Sequence, residues 1–156
     1  QDAALVDGAP IELDALAGGV RKSWELEWRA GRSFEDTLSL RGLNARAGGA
    51  VERQAETARG RAVLADAGQA LADLAARRAR EVEALGKGPL ERFVVGQRLG
   101  QLLADGRLEP LRAALAEALV VRGLPAEGWL VTSTLREAPA LGAAARALAA
   151  WEAARG

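Results

Sequence analysis

Gly96 and Gln97 are the residues best placed to contact a ligand, because they follow a short apolar run and precede a helical pattern. A strand that ends in glycine and leads into a helix lets a ligand approach the backbone closely. The first N–H groups of that helix are then available to an anion. The pattern favours contact of a ligand with the backbone over catalysis by a side chain. A plain strand-to-helix turn is the alternative interpretation of the same residues.

The composition excludes several kinds of catalytic site. The 156 residues include no Cys and no His. The chain therefore cannot supply a disulfide, a thiolate zinc site, a cysteine nucleophile or a histidine base. The absence of Cys favours a cytoplasmic protein, although many exported proteins also lack Cys.

The charge balance argues against two classes of partner. The chain has 21 basic and 21 acidic residues and a net charge of zero. This balance removes the general attraction to nucleic acid and to anionic membranes. No apolar run reaches the roughly 18 residues that span a bilayer. We therefore expect neither a nucleic-acid partner nor a membrane partner.

The second half of the chain is predicted to alternate strands with helices. Residues 92–96 and 129–132 are short runs of β-branched and aromatic side chains between turn signals, which indicates strands. Helical patterns cover 98–104 and 108–122 between them, and Pro139 begins a final helix. Two strands joined by helices predict a parallel pair. Because two strands alone are marginally stable, the pair is expected to extend a larger sheet.

The first 48 residues are predicted to form a helical lead-in. The apolar spacing becomes helical at Ile11, and Trp24 and Trp28 are four residues apart, which places them on one helix face. The chain has 2 Phe and no Tyr. The four tryptophans, which also include Trp129 and Trp151, are therefore predicted to be the large core anchors.

Two further helices are predicted before the first strand. Ser33 and the acidic residue three positions later resemble a capping box, which starts a helix that runs to Arg46. Residues 50–85 are dense in Ala, Arg, Glu and Leu and predict a long helix. A bend or break near Gly60 or Gly68 is expected, because the unbroken helix would be long for a small domain.

Four short stretches carry a family resemblance. They are AGQALA at 67–72, PLERFVVG at 89–96, LEPLR at 108–112 and LREAPALGAA at 135–144. In order and spacing they resemble the LG-x-x-LA, P-E-x-(V/I)-V-(V/I)-G-G, L-x-P-L-(R/K) and L-x-x-x-A-x-x-x-GAA segments of the ROK family (repressor, open reading frame, kinase). Members of that family are sugar kinases and related regulators. The resemblance covers about residues 61–150.

The resemblance implies a fold and an activity. The fold is α/β and helix-rich, a partial ribonuclease-H/actin-like ATPase fold with a small, mainly parallel sheet packed by long helices. Residues 1–156 are expected to be one domain cut from a longer two-domain protein, with 50–156 as the nucleotide-side core. The activity implied is that of a sugar kinase that uses ATP with magnesium. This part alone is expected to be inactive, because nothing in it resembles the family's D-x-G-x-T hairpin or catalytic Asp.

The resemblance also implies ligand-binding residues. The nucleotide-binding candidates are Gly96, Gln97, Gly142, Gly18 and Gly19. Asp14 occupies the position of a sugar-contacting Glu in the family. Each candidate also has a structural interpretation, such as a turn, a helix break, a helix contact or an exposed helix carboxylate.

The sequence departs from the family in two places. The family's C-x-C-G-x-x-G-C zinc loop is replaced by residues 7–11, which contain neither Cys nor His, so no zinc is expected. The second glycine of the family's G-G pair is Gln97, whose side chain is expected to crowd the adenosine. These departures leave open a non-catalytic ROK-type regulator or scaffold. An unrelated, mainly helical interaction module is a third hypothesis, because helical propensity is high over most of the chain.

The kinase hypothesis defines the expected partners. They are a nucleotide and a sugar bound by the intact protein, and a second copy of the chain in a homodimer.

Overall fold

The computed structural model describes residues 3–6, 9–12, 23–86, 88–90 and 92–132. Its elements in chain order are β1 (Ala3–Val6), β2 (Ala9–Glu12), β3 (Glu27–Arg29), β4 (Arg32–Ser33), α1 (Phe34–Leu38), α2 (Leu40–Ala47), α3 (Val51–Gln54), α4 (Ala58–Ala84), β5 (Phe93–Val95), α5 (Gln97–Ala104), α6 (Glu109–Val121) and β6 (Leu130–Thr132). The described strands pair as β1–β2, β3–β4 and β5–β6. The architecture is therefore α/β and helix-rich, as predicted.

The helical prediction for the start of the chain is wrong where the structure describes it. β1 and β2 form an antiparallel pair in which Val6 is opposite Ala9 and Ala4 is opposite Ile11. The sequence between the two strands is Asp-Gly, the preferred composition of a two-residue hairpin. The pairing of β1 with β2, rather than the helical spacing from Ile11, decides the local structure at 9–12.

The segment around Trp24 and Trp28 is also not the predicted helix. Trp28 lies in β3, which pairs with β4 in an antiparallel hairpin. Its indole N–H donates to Asp73 of α4 at 2.9 Å, and its ring lies 6.4 Å from that of Phe34. Trp24 is 49% exposed, so the prediction that it anchors the core is wrong. The contacts of Trp28 with α4 and Phe34 override the helical spacing of the two tryptophans.

Serine side chains start the first two helices. Ser33 caps α1 with the predicted capping box, because its Oγ accepts from the N–H of Asp36 at 3.0 Å. The Asp36 carboxylate in turn accepts from the N–H of Ser33 at 3.2 Å. Ser39 ends α1 and caps α2, so it divides the single helix predicted here into two. Gly48 then ends α2 with a left-handed conformation, φ 79°.

α4 is the longest helix, with 27 residues, and it is packed on two sides. Thr57 starts it by accepting from the N–H of Gly60 at 2.9 Å. The break in the helix predicted over 50–85 therefore comes before Gly60, and α4 continues through Gly68. One apolar face joins the main core with α6, through residues that include Leu64, Ala67, Leu71, Leu111, Leu115 and Leu119. A second face packs on the hairpin and α1, through Ala70, Leu74, Leu26 and Phe34.

α4 and α6 approach closely at Gly68. A Cβ placed on Gly68 would lie 2.7 Å from the carbonyl oxygen of Leu111. It would also lie 2.9 Å from the Cβ of Ala114 and from the backbone nitrogen of Leu115. The contact is therefore one of backbone against backbone, which only a residue without a side chain permits.

β5 and β6 form the predicted parallel pair, with Phe93 opposite Leu130. Trp129, the residue before β6, is buried, and its indole N–H donates to the carbonyl of Leu90 at 2.7 Å. Its ring stacks on Phe93, with centroids 6.0 Å apart. Trp129 is thus a core anchor as predicted, whereas Trp151 lies outside the described residues.

Asp73 of α4 ties the β3–β4 hairpin to the end of α6. Its carboxylate accepts from the indole of Trp28 at 2.9 Å and from Nε of Arg122 at 2.7 Å. Burial alone would raise the pKa of Asp73, but these two hydrogen bonds, together with the positive charges of Arg122 and Arg29, outweigh it and hold the pKa below its ordinary value. The charged form of Asp73 therefore stabilises this junction.

Gly68→Ala tests the close approach of the two helices. Helix propensity alone would make alanine more stable than glycine by about 1 kcal/mol in a helix interior. Because the added methyl group overlaps the backbone of α6, we expect the free energy of unfolding to fall by about 1–3 kcal/mol instead. Denaturant unfolding followed by circular dichroism measures the change. A gain in stability would contradict the close approach.

Asp73→Asn tests the charged junction. The folded-state pKa is depressed, so the carboxylate stabilises the fold above its unfolded pKa, about 3.9, and this contribution is lost as the pH falls through the folded pKa. We expect the variant to be about 0.5–1 kcal/mol less stable near neutral pH, a modest loss because the side chain is 41% exposed. The difference should shrink below about pH 4.

Unfolding curves at several pH values measure this difference. Asp105→Asn, at an exposed position, is the matched control. A loss of stability that persists unchanged into acid would contradict the role given to the Asp73 charge.

Candidate functional site at the carboxyl end of the parallel strands

β5 leads directly into α5 through Gly96. Gly96 has an extended backbone, φ −105° and ψ −166°, and it is the N-cap of α5, with no side chain capping this end. Its carbonyl oxygen accepts from the N–H of Gly100 at 3.0 Å. The first N–H groups of a helix have no partner within the helix, and its dipole is positive at this end. The turn therefore suits an anionic group of a ligand.

Gln97, the first residue of α5, has an unusual backbone conformation. Its φ is 55°, the one positive value among the described residues other than glycine. The left-handed region costs a residue with a Cβ about 1–2 kcal/mol, whereas glycine enters it freely. The family pattern that the sequence resembles has glycine at this position. The backbone here is thus in the conformation that favours glycine, although the residue is glutamine.

The space beside Gly96 is open. A Cβ placed on Gly96 meets no heavy atom within 4 Å in the described structure. Packing against the described residues therefore does not require glycine here, and its φ is accessible to any residue. The open space lies beyond the carboxyl end of β5, which is where ligands bind in open α/β sheets.

A groove of about 550 Å³ adjoins the other strand of the pair. Apolar side chains of α5 and α6 form part of its wall, and Arg112, Glu127 and Thr132 contribute polar groups. Thr132 is the last residue of β6 and is paired with Val95 of β5. The groove therefore reaches the carboxyl edge of the parallel pair, at which Gly96 also lies.

The structure brings together two of the predicted ligand-binding residues. Gly96 and Gln97 are neighbours in the turn between β5 and α5, and the side chain of Gln97 is exposed. The other candidates, Asp14, Gly18, Gly19 and Gly142, lie outside the described residues. Sequence reasoning missed the polar groove residues Arg112, Glu127 and Thr132. Only Thr132 had a local signal, its position at the end of a predicted strand.

Of the groups in an adenine nucleotide, only the phosphates have a matching feature among the described residues. The uncapped start of α5 suits a phosphate group, and the open space at Gly96 allows close approach to the backbone. The described residues contain no group of three or more Asp, Glu, His or Cys that could hold a metal ion.

Comparison with known proteins adds no relative. No family model, no curated protein and no solved structure matches the chain. Among the described helices, none combines the length and the apolar character that crossing a membrane requires. Function is therefore inferred from the motif resemblance together with the geometry of the described residues.

Gln97→Gly tests the backbone strain at the turn. Glycine adopts a positive φ without steric cost, but it also gains freedom in the unfolded chain. The net effect expected is a rise of about 0.5–1 kcal/mol in the free energy of unfolding. Gln97→Ala keeps the Cβ and is the matched control, with an expected change within about 0.5 kcal/mol. Equal effects of the two substitutions in denaturant unfolding would contradict the strain.

Proposed function

We propose that this chain forms the nucleotide-side part of an ATP-dependent sugar kinase related to the ROK family. The observation that carries the proposal is the positive φ of Gln97, 55°, at the position of the family's second glycine. A positive φ is the physical reason for glycine in such a turn. The backbone at Gln97 is thus in a conformation that favours glycine, which supports the resemblance at a position where the residue itself differs.

Gly68 is another glycine in a stretch that resembles the family, and it allows two helix backbones to approach closely. Gly68 belongs to the stretch that resembles LG-x-x-LA, and Leu111 belongs to the stretch that resembles L-x-P-L-(R/K). These two stretches meet at the crossing of α4 and α6, where a Cβ on Gly68 would lie 2.7 Å from the carbonyl oxygen of Leu111. Two of the motifs are thus packed against each other, which supports their assignment to one ancestral fold.

The parallel pair supports the proposal at the level of topology. β5 comes from the stretch that resembles the family's buried strand, and β6 precedes the stretch that resembles its closing helix. The two strands are parallel, and α5 and α6 connect them. A pair of this kind fits a partial ribonuclease-H/actin-like fold in which further strands extend the sheet.

In this proposal the chain binds and positions the nucleotide. The backbone at Gly96 and the start of α5 contact it, and Gly18, Gly19 and Gly142 line it on the strength of the resemblance. Asp14 would contact the sugar on the same basis. Magnesium-ATP supplies the phosphoryl group when bound. Other parts of the intact protein would supply the hairpin that holds the phosphates. They would also supply the base that accepts the proton of the sugar hydroxyl. We place the intact protein in the cytoplasm.

A non-catalytic regulator of the same family is the second candidate. Gln97 favours it, because the exposed glutamine side chain occupies a position where the family pattern has none. Helical or unpaired segments at 93–96 and 130–132 would have favoured the unrelated helical module. Residues 93–95 and 130–132 are paired strands, so no specific observation favours that module and we do not propose it.

Gly96→Val tests nucleotide binding at the turn. The added side chain projects into open space, so it should leave the fold intact and obstruct the nucleotide. We expect magnesium-ATP to bind the intact protein saturably in calorimetry, and Gly96→Val to weaken its affinity by about tenfold or more. Ala113→Val, on an exposed position of α6, is the matched control and should change the affinity by less than about twofold.

The outcomes separate the two candidates. Saturable binding that Gly96→Val weakens selectively supports the kinase. An intact protein that shows no binding and no thermal shift at millimolar magnesium-ATP would contradict it and favour the regulator. Equal weakening by the two valine substitutions would show that the nucleotide does not contact the turn.

A further inference from the structure

Three arginine side chains converge on one carboxylate, away from the β5–α5 turn. Asp66 of α4 lies 2.6 Å from Nη1 of Arg29, 3.1 Å from Nη2 of Arg32 and 2.7 Å from Nη1 of Arg46. The arginines come from three elements, β3, β4 and α2. At Asp66, three positive charges thus meet one negative charge, and the carboxylate of Asp73 interacts in addition with the charge of Arg29.

Trp28 orders two of these arginines. The guanidinium carbon of Arg29 lies 4.1 Å from the centre of the indole ring, and that of Arg32 lies 5.4 Å from it. The indole is itself fixed, because its N–H donates to Asp73 at 2.9 Å. The cation–π contacts and Asp66 therefore hold two long side chains in place before any ligand is present.

A purely structural role accounts for Arg46 but not for the other two. Arg46 is 19% exposed and also donates to the carbonyl of Thr37 at 2.7 Å, so it alone can neutralise and anchor Asp66. Arg29 is 57% exposed, and an ion pair that exposed contributes little to stability. Adding Arg29 and Arg32 to the cluster therefore gains little for the fold.

The positive charges of Arg29 and Arg32 disfavour the charged form of Arg46. Burial lowers the pKa of Arg46, and the charges of Arg32 and Arg29 lower it further against the opposing effect of Asp66. Glu27 of the β3–β4 hairpin accepts from the N–H of Gly31 at 2.5 Å, so its carboxylate stabilises the turn of the hairpin. A bound anion would relieve the repulsion among the three guanidinium groups.

We propose that Arg29 and Arg32, with Arg46 behind them, form a binding site for a phosphate group. Arg29 and Arg32 are 57% and 28% exposed, so N–H groups that do not contact Asp66 are accessible to a ligand. The planar guanidinium donates two parallel hydrogen bonds to a phosphate, which makes arginine the preferred residue for this recognition. The phosphate is either free or part of a small phosphate monoester. The site is independent of the proposed kinase function.

Phosphate titration of the 156-residue chain at constant ionic strength tests this site. We expect calorimetry to give saturable binding of inorganic phosphate, and the double variant Arg29→Gln, Arg32→Gln to weaken it by about tenfold or more. The matched control is Arg53→Gln with Arg107→Gln, which removes the same charge from two exposed positions. The control should change the affinity by less than about threefold, and circular dichroism should be the same for all three proteins.

A milder variant keeps the test decisive if the double variant does not fold. Arg29→Lys retains the charge but loses the planar fork, and it should weaken phosphate binding by about threefold to tenfold. Glucose 6-phosphate serves as the second probe. Tighter binding of this monoester supports a phosphorylated ligand, and equal binding supports free phosphate.

Two results would overturn the site. One is the lack of saturable binding of either probe at tens of millimolar. The other is equal weakening by the Arg29–Arg32 pair and by the control pair, which would show a general effect of charge.

Discussion

The close crossing of α4 and α6 at Gly68 sets the arrangement of the described structure. One face of α4 packs on α6, which leads through the loop after it to β6 and so to the parallel pair with β5. Other positions of α4 hold the first part of the chain, through Asp66 and Asp73. A change in the distance between the two helices would therefore move the turn at Gly96 relative to the arginine cluster. Packing of backbone against backbone, without a side chain between, leaves little freedom for such a change.

The sequence predicts the structure best where a local signal has no tertiary competitor. The capping box at Ser33 and the helix that begins near Pro110 both follow from short-range hydrogen bonding or fixed backbone geometry. The strands at 93–95 and 130–132 follow from β-branched runs between turn residues. The prediction was wrong around Trp28, because the contact that fixes that residue comes from Asp73, 45 positions later in the chain. Spacing within a segment cannot report a partner so far away.

For the candidate site, too, the sequence predicted the residues with a local signal and missed those that meet only in the tertiary fold. Gly96 and Gln97 were found because glycine at the end of a strand is a local signal. Arg112, Glu127 and Thr132 meet in one groove only after α6 has folded back on β6. The arginine cluster is a similar case, since Arg29, Arg32 and Arg46 approach Asp66 from separate elements. In the sequence these arginines look like solvated helix faces, and the tertiary fold gives them a common partner.

The strained turn at Gln97 bears on the nucleotide contacts proposed for this part of the chain. A residue with a Cβ remains at positive φ only when its surroundings fix the backbone on both sides. Here β5 is held by pairing with β6 and by the stacking of Phe93 on Trp129, and α5 follows at once. Replacement of glycine by glutamine would therefore cost stability without reshaping the turn. Because the proposed nucleotide contacts are made by backbone groups at Gly96 and the start of α5, they do not depend on the side chain at position 97. An exposed glutamine at position 97 changes the edge of the proposed site and leaves its backbone donors in place.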